Sequence, residues 1–139
     1  MLLKKSIVLF FIMSSLLFSQ QIGVWKNYTN MDDVMNVSSS ENGFWIATTG
    51  GAGYYDNKSG EFELFLTNSE GLSSQNVTAS AIDSFNRVWF GMQNGMINIY
   101  DPTSKSTIPI KDIFESPNTS KKITDILIVG DTVYISTED

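Results

Sequence analysis

The sequence of 139 residues contains no cysteine and no histidine. The missing cysteines exclude disulfide bonds and thiolate metal sites. The missing histidines exclude imidazole metal ligands and the Ser-His or Cys-His pairs of nucleophilic catalysis. Positive charge is also scarce, since nine Lys and Arg stand against fifteen Asp and Glu, for a net charge of −6. Without a basic patch to neutralise phosphates, we expect no nucleic-acid partner.

The most apolar run lies at the N-terminus. Lys4 and Lys5 precede an apolar segment at 7–18, and Ser19 is followed by two polar glutamines. This order of basic, apolar and small residues is typical of a secretory signal peptide, which we predict at residues 1–19. The alternative is an uncleaved anchor, but the apolar segment is shorter than the roughly 20 residues that span a membrane. Residues 20–139 are therefore predicted to be exported to the periplasm, the outer surface or the medium, and not to be integral to a membrane.

The remainder of the sequence repeats with a period of about 44 residues. Trp45, Trp89 and Tyr134 each stand in an apolar-aromatic-apolar-small pattern, which reads FWIAT, VWFGM and VYIST. Gly51 and Gly95 are one period apart as well. Short apolar runs on either side alternate with turn residues, so that each unit contains four predicted strands joined by hairpins. A period of roughly 40–50 residues with four strands per unit is typical of β-propeller blades.

We therefore predict an all-β protein: an N-terminal fragment of a β-propeller with four-stranded antiparallel blades, about two and a half of which are present. The predicted parts in chain order are a closing strand at 23–29, blade one at 34–66, blade two at 77–110 and half of blade three at 123–137. Because a propeller needs more blades than this to close, we expect the native chain to be longer. A small oligomeric ring of part-blades is the alternative.

The repeated glycines and aromatic residues have structural interpretations. Gly51 and Gly95 open the third strand of their units, where a tight hairpin turn needs a positive φ and neighbouring backbone comes close. The segment GGAG would cradle a phosphate only if a helix followed it, whereas another strand follows here. Trp45, Trp89 and Tyr134 are predicted to fill the space between neighbouring blades.

The acidic residues form no catalytic or metal-binding constellation, and we predict no cofactor. Asp32 and Asp33 are adjacent in an extended segment, so their side chains diverge, and a solvated loop is expected. Asp56 and Asp101 follow third strands, where we predict Asx turns rather than calcium sites. The other prominent aromatic residues are predicted to pack between blades rather than to stack on sugars: Tyr54, Tyr55, Phe85 and Tyr100.

Propeller ligands bind at one face, which is formed by the loops between second and third strands and the loops between consecutive blades. In this sequence these loops are 49–51, 68–76, 93–95 and 116–122. The candidate binding residues in them are Asn68, Gln75, Gln93, Asn94, Lys121 and Lys122. The two lysines would suit an anionic glycan, although a solvated loop is the simpler interpretation.

Several segments resemble known propeller families. FWIATTGGAGYYD (44–56) and WFGMQNGMINIYD (89–101) are similar to the Trp-Ile-Gly-Thr…Gly-Gly-Leu…Tyr-Asp pattern of the two-component-regulator propeller repeat. GVWKNYT (23–29), which follows directly on the signal peptide, and SKKITDILIVGDTVYIST (120–137) resemble the N-terminal propeller of PorZ-type proteins of type IX secretion. In that family the resemblance implies two seven-bladed propellers followed by a sorting domain.

The resemblance implies an exported, non-enzymatic propeller that docks protein or glycan at the bacterial cell surface within type IX secretion. The implied partners are other cell-envelope or secretion-system proteins and an anionic glycan. The alternative is the periplasmic sensor propeller of a hybrid two-component regulator. A propeller lyase or glycosidase is a third reading, against which the lack of histidine argues, and fold alone does not settle function.

Overall fold

A computed structural model describes residues 30–117 and 120–138. The predicted signal peptide at 1–19 and the predicted closing strand at 23–29 lie outside the described residues. Ten β-strands in the described ranges form three antiparallel sheets. None of the helices in these ranges has the length and apolar character needed to cross a membrane.

Sheet one contains the first four strands in chain order. They are β1 (Val34–Ser39), β2 (Gly43–Thr48), β3 (Gly51–Asp56) and β4 (Glu61–Leu66). The spatial order is the chain order, because each strand is joined to the next by a short turn. The register places Trp45 on β2 between Ser38 on β1 and Tyr54 on β3, which fixes the face of the sheet on which the indole ring lies.

Sheet two repeats this order with β5 (Val77–Ile82), β6 (Val88–Met92), β7 (Ile97–Asp101) and β8 (Ser106–Ile110). Sheet three is the hairpin of β9 (Ile123–Val129) and β10 (Thr132–Thr137). A 3-10 turn at Asn68–Glu70 and a single helical turn, α1 (Asp112–Glu115), lie in the connections between sheets. One helical turn is too short to produce a 3.6-residue apolar period, so the sequence pattern did not predict α1.

Sheets one and two pack face to face around Trp45. This side chain is 4% exposed, and its ring centroid lies 5.8 Å from that of Phe90 and 5.4 Å from that of Tyr100, both in edge-to-face geometry. Between the first strands of the two sheets, the hydroxyl oxygens of Ser38 on β1 and Ser80 on β5 are 2.7 Å apart. Buried aromatic rings and a polar contact between the first strands therefore join the two sheets.

Sheet three packs on the other face of sheet two. Ile123 and Ile126 of β9 join Ile97 in a second buried cluster, against which the half-buried Trp89 packs. The hydroxyl of Thr78 on β5 donates a hydrogen bond of 2.6 Å to the carbonyl oxygen of Ile123. Sheet two is thus covered on both faces, and the three stacked antiparallel sheets form a β-propeller-like fold.

Two of the aromatic residues that were predicted to pack between sheets lie at the surface instead. Phe85 is 74% exposed in the turn between β5 and β6, where the guanidinium of Arg87 lies 5.2 Å from its ring centroid. The prediction that Phe85 packs in the core is therefore wrong, because a turn residue cannot reach a neighbouring sheet. Tyr134 occupies the strand position of Trp89, yet it is 59% exposed, since no sheet in the described ranges covers that face of sheet three.

Candidate functional site

Two of the predicted face loops, 49–51 and 93–95, lie at the end of the strands where β2 turns into β3 and β6 turns into β7. Gly51 has a φ of 134° and Gly95 a φ of 85°, both outside the range of other residues. A Cβ atom on Gly51 would lie 2.3 Å from the carbonyl oxygen of Leu66, and one on Gly95 would lie 3.0 Å from Cβ of Lys121. Both glycines therefore allow another part of the chain to approach closely: Leu66 at Gly51 and Lys121 at Gly95.

Four of the six candidate binding residues lie near one another at this end. The backbone N–H of Gln93 donates to the carbonyl oxygen of Asn76 at 3.0 Å, which brings Gln93 beside Gln75. The side chain of Asn94 accepts a hydrogen bond from the backbone of Met96 at 3.1 Å and closes the β6–β7 turn. Lys121 lies next to this turn through its contact with Gly95.

Intramolecular partners hold both lysines. The ammonium group of Lys121 donates to the carbonyl oxygen of Phe114 and lies 5.4 Å from the centroid of that ring. The ammonium group of Lys122 forms an ion pair with Glu138, with an N···O distance of 3.3 Å. An anionic glycan would have to compete with these contacts, so the geometry gives the lysines a structural role.

Asn68 lies apart from the other candidates, in the 3-10 turn that follows β4. Thr67 caps this turn through a capping box with Glu70. The turn ends at Gly71, where an added Cβ would lie 3.5 Å from the hydroxyl of Thr107 on β8. Asn68 is therefore placed toward the outer strand of sheet two, and the face loops do not form a single cluster.

A buried amide positions the connection between sheets one and two. Asn98 on β7 is fully buried, and its side chain accepts from the backbone N–H of Ser73 at 2.8 Å and donates to the hydroxyl of Ser73 at 3.1 Å. The connection then reaches Asn76, whose side-chain oxygen is buried without a hydrogen-bond partner among the described residues. No sequence pattern indicates this contact, because Asn98 stands between Ile97 and Ile99, where the alternation predicts a polar side chain that faces solvent.

A cleft of about 320 Å³ opens between sheets one and two at the opposite end of the strands. We call it the turn-end cleft, because the β1–β2, β5–β6 and β7–β8 turns border it. Its wall contains Trp45, Tyr54 and Tyr100, with ring centroids of Trp45 and Tyr54 5.0 Å apart. Its polar lining residues are Ser40, Glu41, Asn42, Glu63, Asn86 and Lys105.

The sequence-based choice of loops missed this cleft. Asn42 and Asn86 have the character of turn residues in the sequence, and they stand one repeat apart, at the same end of their sheets. Glu63 is at an exposed strand position, where a charged residue is unremarkable. The cleft depends on how far sheet one and sheet two separate at their turns, and the alternation of apolar residues carries no information on that spacing.

Burial has the largest effect on the pKa of the Tyr100 hydroxyl. Loss of solvent raises the pKa of Tyr100 above its usual value, and the nearby charge of Asp101 raises it further. The phenol therefore stays neutral and keeps its proton well into the alkaline range. As a neutral phenol, Tyr100 can both donate and accept a hydrogen bond in the cleft.

Asp83 organises the turn next to the cleft. Its carboxylate accepts hydrogen bonds from the backbone N–H groups of Phe85 and Arg87, from the indole N–H of Trp89 at 3.1 Å and from the guanidinium of Arg87 at 2.7 Å. Burial alone would raise the pKa of Asp83, but the hydrogen bonds from Trp89 and Arg87 outweigh it and lower the pKa below the usual value.

Asp83→Asn is expected to lower the free energy of unfolding by about 1–3 kcal/mol, because the amide cannot accept from all of these donors. A carboxylate with a lowered pKa stabilises the folded state above its ordinary pKa of 3.8 and loses that effect as the pH falls through the folded value. Denaturant unfolding at pH 7 and at pH 3 therefore tests the assignment. The difference between wild type and variant should shrink at pH 3, and an equal difference at both pH values would contradict it.

The two other turn aspartates behave as the Asx interpretation requires. Asp56 accepts from the backbone of Lys58 at 2.8 Å and of Ser59 at 2.7 Å, and Asp101 accepts from the backbone of Thr103 at 2.8 Å. Within 30–117 and 120–138, no three acidic side chains are grouped so that they would hold a metal ion.

Comparison with known proteins defines the class of this fold. No protein-family model matches the sequence, and no curated protein matches it. Solved structures do match, and three of them are a bacterial surface protein and two extracellular domains. The chain is thus similar in fold to extracytoplasmic β-propeller-like domains.

PorZ of Porphyromonas gingivalis, an essential surface component of the type IX secretion system, matches with a TM-score of 0.71 and 16% identity over 82% of this chain. The extracellular domain of a putative hybrid two-component system of B. thetaiotaomicron matches with a TM-score of 0.64 and 23% identity over 76% of this chain. The extracellular domain of a putative one-component system from that bacterium gives a TM-score of 0.60, 20% identity and 84% coverage.

The chain spans only 15%, 14% and 15% of these three structures. At these identities the likeness concerns the fold. The resemblance to PorZ-type and two-component-regulator propellers that the sequence predicted is confirmed at that level.

Proposed function

We propose that the chain is part of an exported, non-enzymatic β-propeller that docks protein or glycan at the bacterial cell surface in type IX secretion. The observation that carries this proposal is the likeness in fold to PorZ, which has the highest TM-score of the three structures compared and covers most of the chain. The partners would be other cell-envelope or secretion-system proteins.

The proposal includes a division of the chain into blades. Sheets one and two would be complete blades at 34–66 and 77–110, and sheet three the first half of a third blade at 123–137, within a domain at 20–139. Equal strand order in sheets one and two supports this division. So does the exposed outer face of sheet three, where Leu127 and Tyr134 are available to a further sheet.

The face that includes Gln93 is the proposed docking surface. Gln93 is exposed, and its backbone is fixed by the hydrogen bond to Asn76, so its side chain can change without disturbing the turn. Asn94 is less suitable for mutation, because its side chain closes the same turn. A charge placed at Gln93 would disturb a partner and leave the sheets intact.

A sensor propeller of a hybrid two-component regulator is the second candidate. The extracellular domain of the B. thetaiotaomicron hybrid system has the higher sequence identity, 23% against 16% for PorZ. A sensor would control transcription and would have no direct part in release of secreted cargo. The two candidates therefore differ in what is lost when the gene is removed.

The test is an in-frame deletion of the gene in the bacterium that encodes it, followed by measurement of type IX cargo in the medium and of the transcriptome. We expect cargo release to fall severalfold and to be restored by the wild-type gene. Complementation with Gln93→Glu should restore release incompletely, whereas Lys58→Glu at the opposite end of the strands should restore it fully. Normal cargo release in the deletion strain, with altered transcription of a few operons, would favour the sensor.

A further inference from the structure

Two deeply buried side chains in the turn-end cleft have polar atoms without partners. Trp45 is 4% exposed and Tyr100 is 3% exposed, yet neither the indole N–H nor the phenolic hydroxyl forms a hydrogen bond within the described part of the chain. Neither atom is sealed from solvent, because the only enclosed, unpartnered side-chain atom in the described ranges belongs to Asn76. Both residues line the cleft.

The equivalent tryptophan of sheet two shows that this arrangement is not a requirement of the fold. Trp89 stands at the same strand position, and its indole N–H donates to Asp83 at 3.1 Å. In sheet one, the turn before Trp45 contains Ser40, whose hydroxyl donates to the carbonyl oxygen of Gly43. Because the indole N–H of Trp45 is open to solvent and has no acceptor among the described residues, water or a ligand accepts its hydrogen bond.

The rim of the cleft adds both hydrogen-bond donors and hydrogen-bond acceptors. Glu41 and Glu63 are hydrogen-bond acceptors, Lys105 is a donor, and the side-chain amides of Asn42 and Asn86 are both. Two carboxylates against one ammonium group disfavour an anionic ligand. A simple cation is also a poor match, because it cannot accept a hydrogen bond from Trp45. Hydroxyl groups, which donate and accept, satisfy all of these partners.

We propose that the turn-end cleft binds a neutral, hydroxyl-rich ligand of about the size of one sugar ring. Its volume of about 320 Å³ is at the lower end of the range for small-molecule sites, and its mixture of aromatic wall and convergent polar groups is typical of them. The proposal goes beyond the docking function proposed above, because it adds a second binding site to the chain. It assigns that ligand to the end of the strands opposite the predicted face loops.

The test is a titration of the uniformly ¹⁵N-labelled full chain with three neutral monosaccharides: galactose, mannose and N-acetylglucosamine. Binding is monitored by NMR through the indole N–H signals. The chain has three tryptophans, so the signals of Trp45 and Trp89 are assigned from Trp45→Phe and Trp89→Phe. At least one sugar should move the Trp45 signal saturably and leave the Trp89 signal in place. Glucuronate and ethylammonium, as charged probes, should bind at least about tenfold more weakly, which is the effect of one unsatisfied buried group.

Tyr100→Phe removes one hydroxyl and keeps the ring, and should weaken the sugar by about tenfold. Trp89→Phe is the matched control, because its N–H already has a partner in Asp83, and it should leave the affinity unchanged. A Trp45 signal that no neutral sugar moves would overturn the proposal, as would stronger binding of either charged probe. If no sugar bound but deletion of the gene still reduced cargo release, only the sugar site would be refuted. If deletion left cargo release unchanged, the docking function would be refuted, whatever the titration showed.

Discussion

Gly51→Ala is expected to lower the free energy of unfolding by about 3 kcal/mol or more. Gly51 has a φ of 134°, where a residue with a Cβ is strained by about 1–3 kcal/mol. The added Cβ would also lie 2.3 Å from the carbonyl oxygen of Leu66, which belongs to the backbone of β4 and cannot rotate away. Overpacking of this kind adds about 1–3 kcal/mol. Denaturant unfolding followed by tryptophan fluorescence measures the sum.

Gly130→Ala separates the two contributions. Gly130 also has a positive φ, of 57°, but an added Cβ there would have no atom within 4 Å. Its substitution should therefore show the conformational cost alone, about 1–2 kcal/mol. If the two substitutions were equally destabilising, the close approach of β4 to Gly51 would be refuted.

Trp45→Ala is expected to lower the free energy of unfolding by about 3–5 kcal/mol, the range for loss of a large buried aromatic side chain. The indole ring lies between the two sheets and contacts Phe90 and Tyr100 across the interface. Its removal leaves a cavity that two rigid sheets cannot close. Because the interface between sheets is lost, the unfolding transition should also become less cooperative.

Tyr134→Ala is the matched control for Trp45→Ala. Tyr134 stands at the same position of the repeat but is 59% exposed, so its truncation should cost less than about 1 kcal/mol. A large effect at Tyr134 would mean that the exposed face of sheet three is covered in solution. A small effect at Trp45 would mean that sheets one and two do not share a core.

The antiparallel four-stranded sheets were predictable because hairpins leave local signals. Apolar runs with a period of two, separated by turn residues such as those of the Asn42–Gly43 dipeptide, specify neighbouring strands without any long-range information. The repeat of the Trp45 and Trp89 patterns then indicated that each set of strands forms one unit. Single helical turns such as α1 lack such periodicity, and the sequence did not reveal them.

The candidate site was less predictable, because it depends on contacts between sheets. The loops around Gln93 could be chosen from the strand order alone, yet the partners of Lys121 and Lys122 depend on where α1 and the end of β10 lie. Phe85 was predicted to lie in the core from its residue type, and its turn position left it exposed instead. The turn-end cleft arises from the spacing of two sheets, a quantity that no local pattern encodes.

Sheets one and two stack with their first strands side by side, as in a β-propeller. Ser38 on β1 and Ser80 on β5 have hydroxyl oxygens 2.7 Å apart, and the chain contains no cysteine of its own. The most direct measurement is therefore the redox state of the double variant Ser38→Cys, Ser80→Cys, by mass spectrometry of the folded monomer after mild oxidation. The stacking predicts an intramolecular disulfide, because the contact between the two hydroxyl groups brings the sulfur atoms of the variant within reach of each other. The control is the double variant Ser38→Cys, Ser104→Cys, in which Ser104 is exposed and two free thiols are expected. Two free thiols in the Ser38→Cys, Ser80→Cys monomer as well would contradict the stacking.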